Sequence, residues 1–152
     1  MAYSVTVESV APRPIAAVRR RIRQTEISTS FKPALDLVRQ FLRDNPGLRA
    51  GGHNVFVYRG TGAEGVLDVD FGVEVTRPFE GDGQVFSTAT PAGEAATVLH
   101  VGPYVGMRDG YAALRAWFAA EGRRMAGPSW EVYGDWSDDP ARLETRLYWL
   151  LG

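Results

Sequence analysis

Cysteine is absent from the 152 residues, which excludes disulfides, thiolate nucleophiles and cysteine-based metal sites. Histidine is scarce. His53 and His100 are the only two, on different expected strands and with no carboxylate at ligand spacing, so no metal and no cofactor is expected. No apolar run approaches the roughly 18–20 residues of a membrane-spanning helix. The opening MAYSVTVESV lacks the basic segment and long apolar core of a signal peptide. An excess of either charge is missing too: 17 Lys and Arg against 18 Asp and Glu leave a net charge of −1. A dedicated nucleic-acid binder carries a basic field. The densest basic run here, RRRIR from Arg19 to Arg23, reads as a solvated strand end. The expectation is a soluble, cytoplasmic protein that binds neither nucleic acid nor membrane directly.

What is present is a globular composition, 45% hydrophobic and 23% charged, in a chain of single-domain size. Period-2 alternation marks strands at Tyr3 to Glu8, Ile15 to Ile22, Val55 to Arg59, Val66 to Val75, Ala95 to Val101, Ser129 to Gly134 and Leu143 to Leu150. APRP, between the first two, reads as the turn of a hairpin. Two segments have the helical period instead. Phe31, Leu35, Val38 and Leu42 form one apolar stripe, with Thr29 or Ser30 as cap, Pro33 in the first turn and Asn45-Pro46-Gly47 as the stop. Met107, Tyr111, Leu114 and Phe118 form the other, closed by Gly122 and Gly127.

The element order repeats, and short pairs recur with it: Ala34-Leu35 as Ala113-Leu114, Ala50-Gly51 as Ala126-Gly127, and Val57-Tyr58 as Val132-Tyr133. The pattern reads as an internal duplication of about 75 residues. The seam is TRPFEGDGQ, Thr76 to Gln84. The halves, about 1–78 and 82–152, read as half-modules of one α+β domain with antiparallel sheets and two main helices.

Face arithmetic then sorts the side chains. A helix covers an aliphatic sheet face, so Val69, Phe71, Val73 and Val75 are expected under the first helix, and Leu143, Leu147 and Trp149 under the second. Val55, Val57 and Val132 are assigned to the same sides. That leaves Phe56, Tyr58, Glu131, Tyr133, Arg146 and Tyr148 on the far faces, with Asp68 and Asp70. Aromatics mixed with a carboxylate and an arginine suit a ligand pocket; the alternative is a second core between the halves, in which an ionised Glu131 would need a partner.

Several stretches also resemble a known family. They are DFGVEV (Asp70 to Val75), Pro91-Ala92-Gly93, HVGPY (His100 to Tyr104), Glu131-Val132-Tyr133, and Asp139-Pro140 ahead of the last strand. In order and spacing the chain resembles the GyrI-like small-molecule-binding family, the bacterial transcription activator effector-binding domain. The resemblance implies duplicated β-α-β-β (SHS2-type) modules with pseudo-twofold symmetry and a central cleft for hydrophobic, aromatic or cationic compounds. It also implies an acidic residue at the pocket base, where Glu131 with Tyr133 stands. Many relatives carry Thr-Glu in the last strand and this chain has Thr145-Arg146, so an Arg146 facing the pocket would pair with Glu131 and cancel its appeal to cations.

HVGPY lacks the G-x-G-x-x-G and G-x-x-x-x-G-K patterns that gather amides around a phosphate. Gly102-Pro103 is expected to turn the chain from sheet to helix, with Tyr104 at the cleft mouth and His100 hydrogen-bonded locally. Three functions follow from the resemblance. The first is a stand-alone effector-binding domain that senses or sequesters a xenobiotic, lining its site with Phe56, Tyr58, Tyr104, Glu131, Tyr133, Arg146 and Tyr148. Relatives often add a helix-turn-helix domain, but the two halves use up this chain, so promoter binding is not expected. The second is a cofactor-free hydrolase of cyclopropane-type genotoxins, with Glu131 as base and Tyr133 or Tyr104 holding the departing oxygen. The third is a protein partner, a regulator or a topoisomerase, docking on Thr76 to Gln84 or Gly134 to Asp139.

Overall fold

The computed structural model describes residues 3–60 and 65–152, without the side chain of Ala126. Met1, Ala2 and residues 61–64, within the expected first half, lie outside the described residues. The fold is α+β. Eight strands and two helices follow in the order β1 (Thr6–Val10), β2 (Pro14–Arg23), α1 (Ile27–Asp44), β3 (Arg49–Arg59), β4 (Val66–Val75), β5 (Phe86–Ala89), β6 (Gly93–Val101), α2 (Met107–Glu121), β7 (Met125–Tyr133) and β8 (Glu144–Leu151).

The chain divides into two compact units. One comprises Pro12–Thr90; the other comprises Met1–Ala11 with Pro91–Gly152. In the first, the antiparallel strands run β3-β4-β2-β5, with α1 packed on β2 and β4. In the second they run β7-β8-β6-β1, with α2 packed on β6 and β8. Each unit therefore has the same internal strand order.

The expected hairpin between the first two strands does not form. β1 pairs with β6, Thr6 opposite Thr97, while β2 pairs with β4 and β5. Tight hairpin turns need positive φ at their centre, which Asn and Gly supply and proline forbids. APRP instead leads into β2 at Pro14, with Arg13 and Thr90 exchanging hydrogen bonds of 2.8 and 3.0 Å. β5, a strand of four half-buried residues, was too short to show a period in the sequence.

α1 begins earlier than its expected caps. The turn Gln24–Glu26 precedes it, with the Glu26 carboxylate accepting from the Arg23 amide at 2.8 Å. Thr29 is already inside, its hydroxyl donating to the Glu26 carbonyl at 3.1 Å, and Pro33 falls in the helix body. Its end is where the sequence places it: the Asn45 side chain donates to the Phe41 carbonyl at 2.9 Å. Gly122 closes α2 in the left-handed region, φ 62°.

The core of the first unit gathers Ala34, Leu35, Val38 and Leu42 of α1 over Val18, Val69, Phe71 and Val73. That of the second gathers Met107, Leu114 and Phe118 of α2 over Ala96, Val98 and Leu147. Each fully buried large apolar side chain contributes about 1.5–3 kcal/mol. Gly110 lets α2 settle onto its sheet: a Cβ there would lie 2.8 Å from Leu147 Cδ1.

Candidate functional site

β7 and β8 pair with Glu131 opposite Leu147, Tyr133 opposite Thr145 and Ser129 opposite Trp149. Directly opposed residues share a face, and Leu147 belongs to the core under α2. Glu131 and Tyr133 therefore face α2. Glu131 is 3% exposed. Tyr133 donates its hydroxyl to Glu131 Oε1 at 2.7 Å, and Tyr111 of α2 donates to Oε2. A carboxylate removed from water needs such donors.

The phenols respond in turn. Tyr111 is raised well above its ordinary value of 10.0, first by burial, then by the Glu131 charge and hydrogen bond. It stays a protonated donor. Tyr104, carried by the turn Tyr104–Gly106, sets its ring edge-on to Tyr133 at 5.4 Å and is 40% exposed. Trp149 meets the Tyr111 ring edge-on at 6.2 Å. One carboxylate, three phenols and an indole thus form a polar-aromatic cluster in the second unit.

HVGPY supports this cluster from the side. His100 is buried; its Nε2 lies 2.8 Å from the Pro103 carbonyl and its Nδ1 2.8 Å from the Tyr3 hydroxyl. A carbonyl only accepts, so Nε2 carries the proton and, in the neutral ring, Tyr3 donates to Nδ1. Gly102, at φ 131°, reverses the chain around this ring and donates its amide to the Leu143 carbonyl at 2.8 Å. The stretch is a sheet-to-helix turn built on a locally bonded histidine, as its sequence suggests.

Within the second unit the expected site residues fall on two sheet faces. Tyr104, Glu131 and Tyr133 come together. Arg146 and Tyr148 lie on the other face of β8, opposite Val132 and Trp130, where Tyr148 stacks on Trp130 at 4.9 Å with ring planes 5° apart. Arg146 therefore stands on the sheet face opposite to that of Glu131. Phe56 and Tyr58 belong to the first unit, opposite Phe71 and Val69 on the face beneath α1. Phe56 is a core residue, edge-on to Phe71 at 4.9 Å and 6.1 Å from Phe31 of α1.

The phase was inverted on β3 and β7 because both sheet faces are buried there. Val55, Phe56 and Val57 are at most 5% exposed, so aliphatic character does not mark the helix side. Irregularities between Arg49 and Asn54, and between Met125 and Ser129, also interrupt counting along each strand. Leu143, assigned to α2's side, precedes β8, while Leu147 and Trp149 lie as expected. Tyr111 and Trp149 were read only as core; a tyrosine in a buried apolar stripe signals a hydroxyl that must find a partner. Asp70 points away from α1 as expected. It is fully buried there, gripped by Arg19 at 2.6 Å and Arg59 at 2.8 Å, so the basic run is not wholly solvated.

Among the described residues no helix is long and apolar enough to cross a membrane. Residues 3–151 match the family described as the GyrI-like small molecule binding domain. Among solved structures the chain is similar to the EcmrR C-terminal domain, 21% identical with a TM-score of 0.82, covering 100% of this chain and 99% of that one. In an EcmrR–DNA complex the same likeness, at 21% identity and a TM-score of 0.81, covers 98% of this chain and 57% of the longer one. It is also similar to SAV2435 bound to tetraphenylphosphonium, 10% identical with a TM-score of 0.71 and coverage of 100% and 94%. A hydrolase encoded by lin2189 from Listeria innocua is 12% identical, with a TM-score of 0.64 and coverage of 97% and 91%. No curated protein matches in sequence.

Proposed function

The chain belongs to the GyrI-like small molecule binding domain family, and from that premise we propose that it binds aromatic organic cations at Glu131, as a sensor or sequestering protein. The observation that carries this reading is the buried Glu131 carboxylate held by two phenols, Tyr111 and Tyr133. Neutral hydroxyl donors stabilise a carboxylate without themselves adding positive charge. The aromatic rings of Tyr104, Tyr111, Tyr133 and Trp149 add apolar area and negative π-faces, both suited to an organic cation. Arg146, the one feature of the sequence that argued against a cation, stands on the opposite sheet face. SAV2435, with the same fold, was solved with such a cation.

The test is calorimetric titration of tetraphenylphosphonium into wild type and Glu131→Gln. Binding that weakens at least tenfold in the variant is expected; equal affinity, or none in wild type, refutes the reading.

A second reading is favoured by one further feature, the Tyr111 phenol held protonated beside a carboxylate. Glu131 would then orient a water or take its proton as the water oxygen bonds to a carbon of a strained cyclopropane; the ring C–C bond breaks and its electron pair passes to a conjugated carbonyl oxygen of the same molecule, which Tyr133 or Tyr104 hydrogen-bonds. Time-dependent consumption of an electrophilic cyclopropane, abolished in Glu131→Gln, is its signature. A substrate that persists unchanged in the presence of the protein removes it.

A further inference from the structure

Two buried donors near Glu131 have no hydrogen-bond partner among the described residues: Thr145 Oγ1 and Trp149 Nε1. Both lie on β8, two residues to either side of Leu147, which is the residue opposite Glu131. Alternation puts all three on the face beneath α2, the face of the polar-aromatic cluster. A third orphan, Thr97 Oγ1, pairs in register with Tyr148 and belongs to the other face.

The cross-strand neighbours of the two are named by the pairing register. Thr145 lies between Tyr133 on β7 and His100 on β6. The Tyr133 hydroxyl donates to Glu131, and both His100 nitrogens are bonded, to Tyr3 and Pro103. Trp149 lies between Ser129 and Ala96, with the edge of the Tyr111 ring against it. Buried polar atoms are nearly always bonded, and two orphans on one face beside one carboxylate mark the place of a missing partner.

The geometry points to Trp149 and Thr145, four residues apart on β8, as two further polar contacts, either of which takes a neutral hydrogen-bond acceptor carried on the body of an aromatic cation. This rests on Glu131 as the cation anchor proposed above. An indole N–H donates and never accepts, so its partner is a carbonyl, ether or ring-nitrogen acceptor. The Thr145 hydroxyl takes either role and is the adaptable member. A site that aims buried donors at an acceptor discriminates against an isostere lacking one, because that isostere leaves the donors unpaired. The competing occupant is ordered water.

The probes are 3- and 4-acetylphenyl-trimethylammonium, each against its isopropenyl isostere, which replaces one carbonyl oxygen by a methylene group. Affinities are measured for wild type, Trp149→Phe, Thr145→Val and Glu131→Gln. Wild type is expected to bind at least one acetyl probe about tenfold tighter than its isostere. Trp149→Phe should erase most of that preference, lowering acetyl-probe affinity several-fold more than isopropenyl affinity. Glu131→Gln should weaken both members of the pair. Equal affinities in wild type, still lowered by Glu131→Gln, overturn these acceptor contacts and leave cation binding standing. No binding of any probe overturns the cation reading and this inference with it. If Trp149→Phe does not fold, the wild-type ratio and its loss in Thr145→Val decide in the same way.

Discussion

Tyr111 of α2 and Glu131 of β7 are joined by a hydrogen bond across the helix-sheet interface, and Tyr133 occupies the other carboxylate oxygen at 2.7 Å. The contact makes α2 both a core element, through Leu114 and Phe118, and a wall of the polar site.

Removing the Tyr111 hydroxyl leaves a buried carboxylate oxygen without that donor. Tyr111→Phe is expected to lower stability by about 1–3 kcal/mol. In combination with Glu131→Gln the losses will not add, with a coupling of about 0.5–3 kcal/mol. Urea denaturation of the two single variants and the double variant measures this.

Alkaline pH offers a separate check. The Tyr111 pKa in the folded protein lies well above the ordinary 10.0, so between those two values the folded state holds a proton that the unfolded chain has released. The associated stability is fully present below pH 10 and is lost as pH rises through the folded value. Urea midpoints should fall more steeply above pH 10 in wild type than in Tyr111→Phe. Parallel curves would show that the hydroxyl is not buried against a charge.

The packing of Phe56 and the face of Arg146 predict different phenotypes. Phe56→Ala empties a packed position between Phe71 and Phe31 and should cost about 3–5 kcal/mol. Arg146→Ala, on the face opposite Glu131, should leave tetraphenylphosphonium affinity within about twofold of wild type by calorimetry.

Asp70 anchors a different network. It is fully buried, with Arg19 and Arg59 on its two oxygens, and Arg59 also donates to the Ala89 carbonyl of β5 at 3.0 Å. Asp70→Asn breaks a partly solvent-screened cluster, so a loss near the low end of about 3–5 kcal/mol is expected. Hydrogen exchange should show the β5 amides protected less than in wild type.

Gly110→Ala sets two effects against each other. Helix propensity improves by about 1 kcal/mol, whereas a Cβ 2.8 Å from Leu147 Cδ1 overpacks the interface at about 1–3 kcal/mol. A net loss on the order of 1 kcal/mol is expected in urea denaturation. A gain would show that α2 shifts freely over its sheet.

Much of this protein is legible in one dimension. Strand alternation around Phe71, the helical stripes, and the stops at Asn45 and Gly122 depend on nearest neighbours and on backbone sterics, which the residues carry with them. Glu131-Val132-Tyr133 marked the polar-aromatic cluster because a Glu beside aromatics in an apolar strand demands partners wherever it lands. Three matters were settled by long-range packing. Alternation sorts residues into two faces but does not say which lies under a helix when both are buried, so Phe56 entered the core while Glu131 turned to α2. Pairing of β1 with β6 joins residues far apart along the chain, which the two prolines of APRP permit but do not specify. The hydroxyl of Tyr111 finds Glu131 because α2, packed on β6 and β8, carries it within reach of neighbouring β7, an approach set by Gly110 over Leu147.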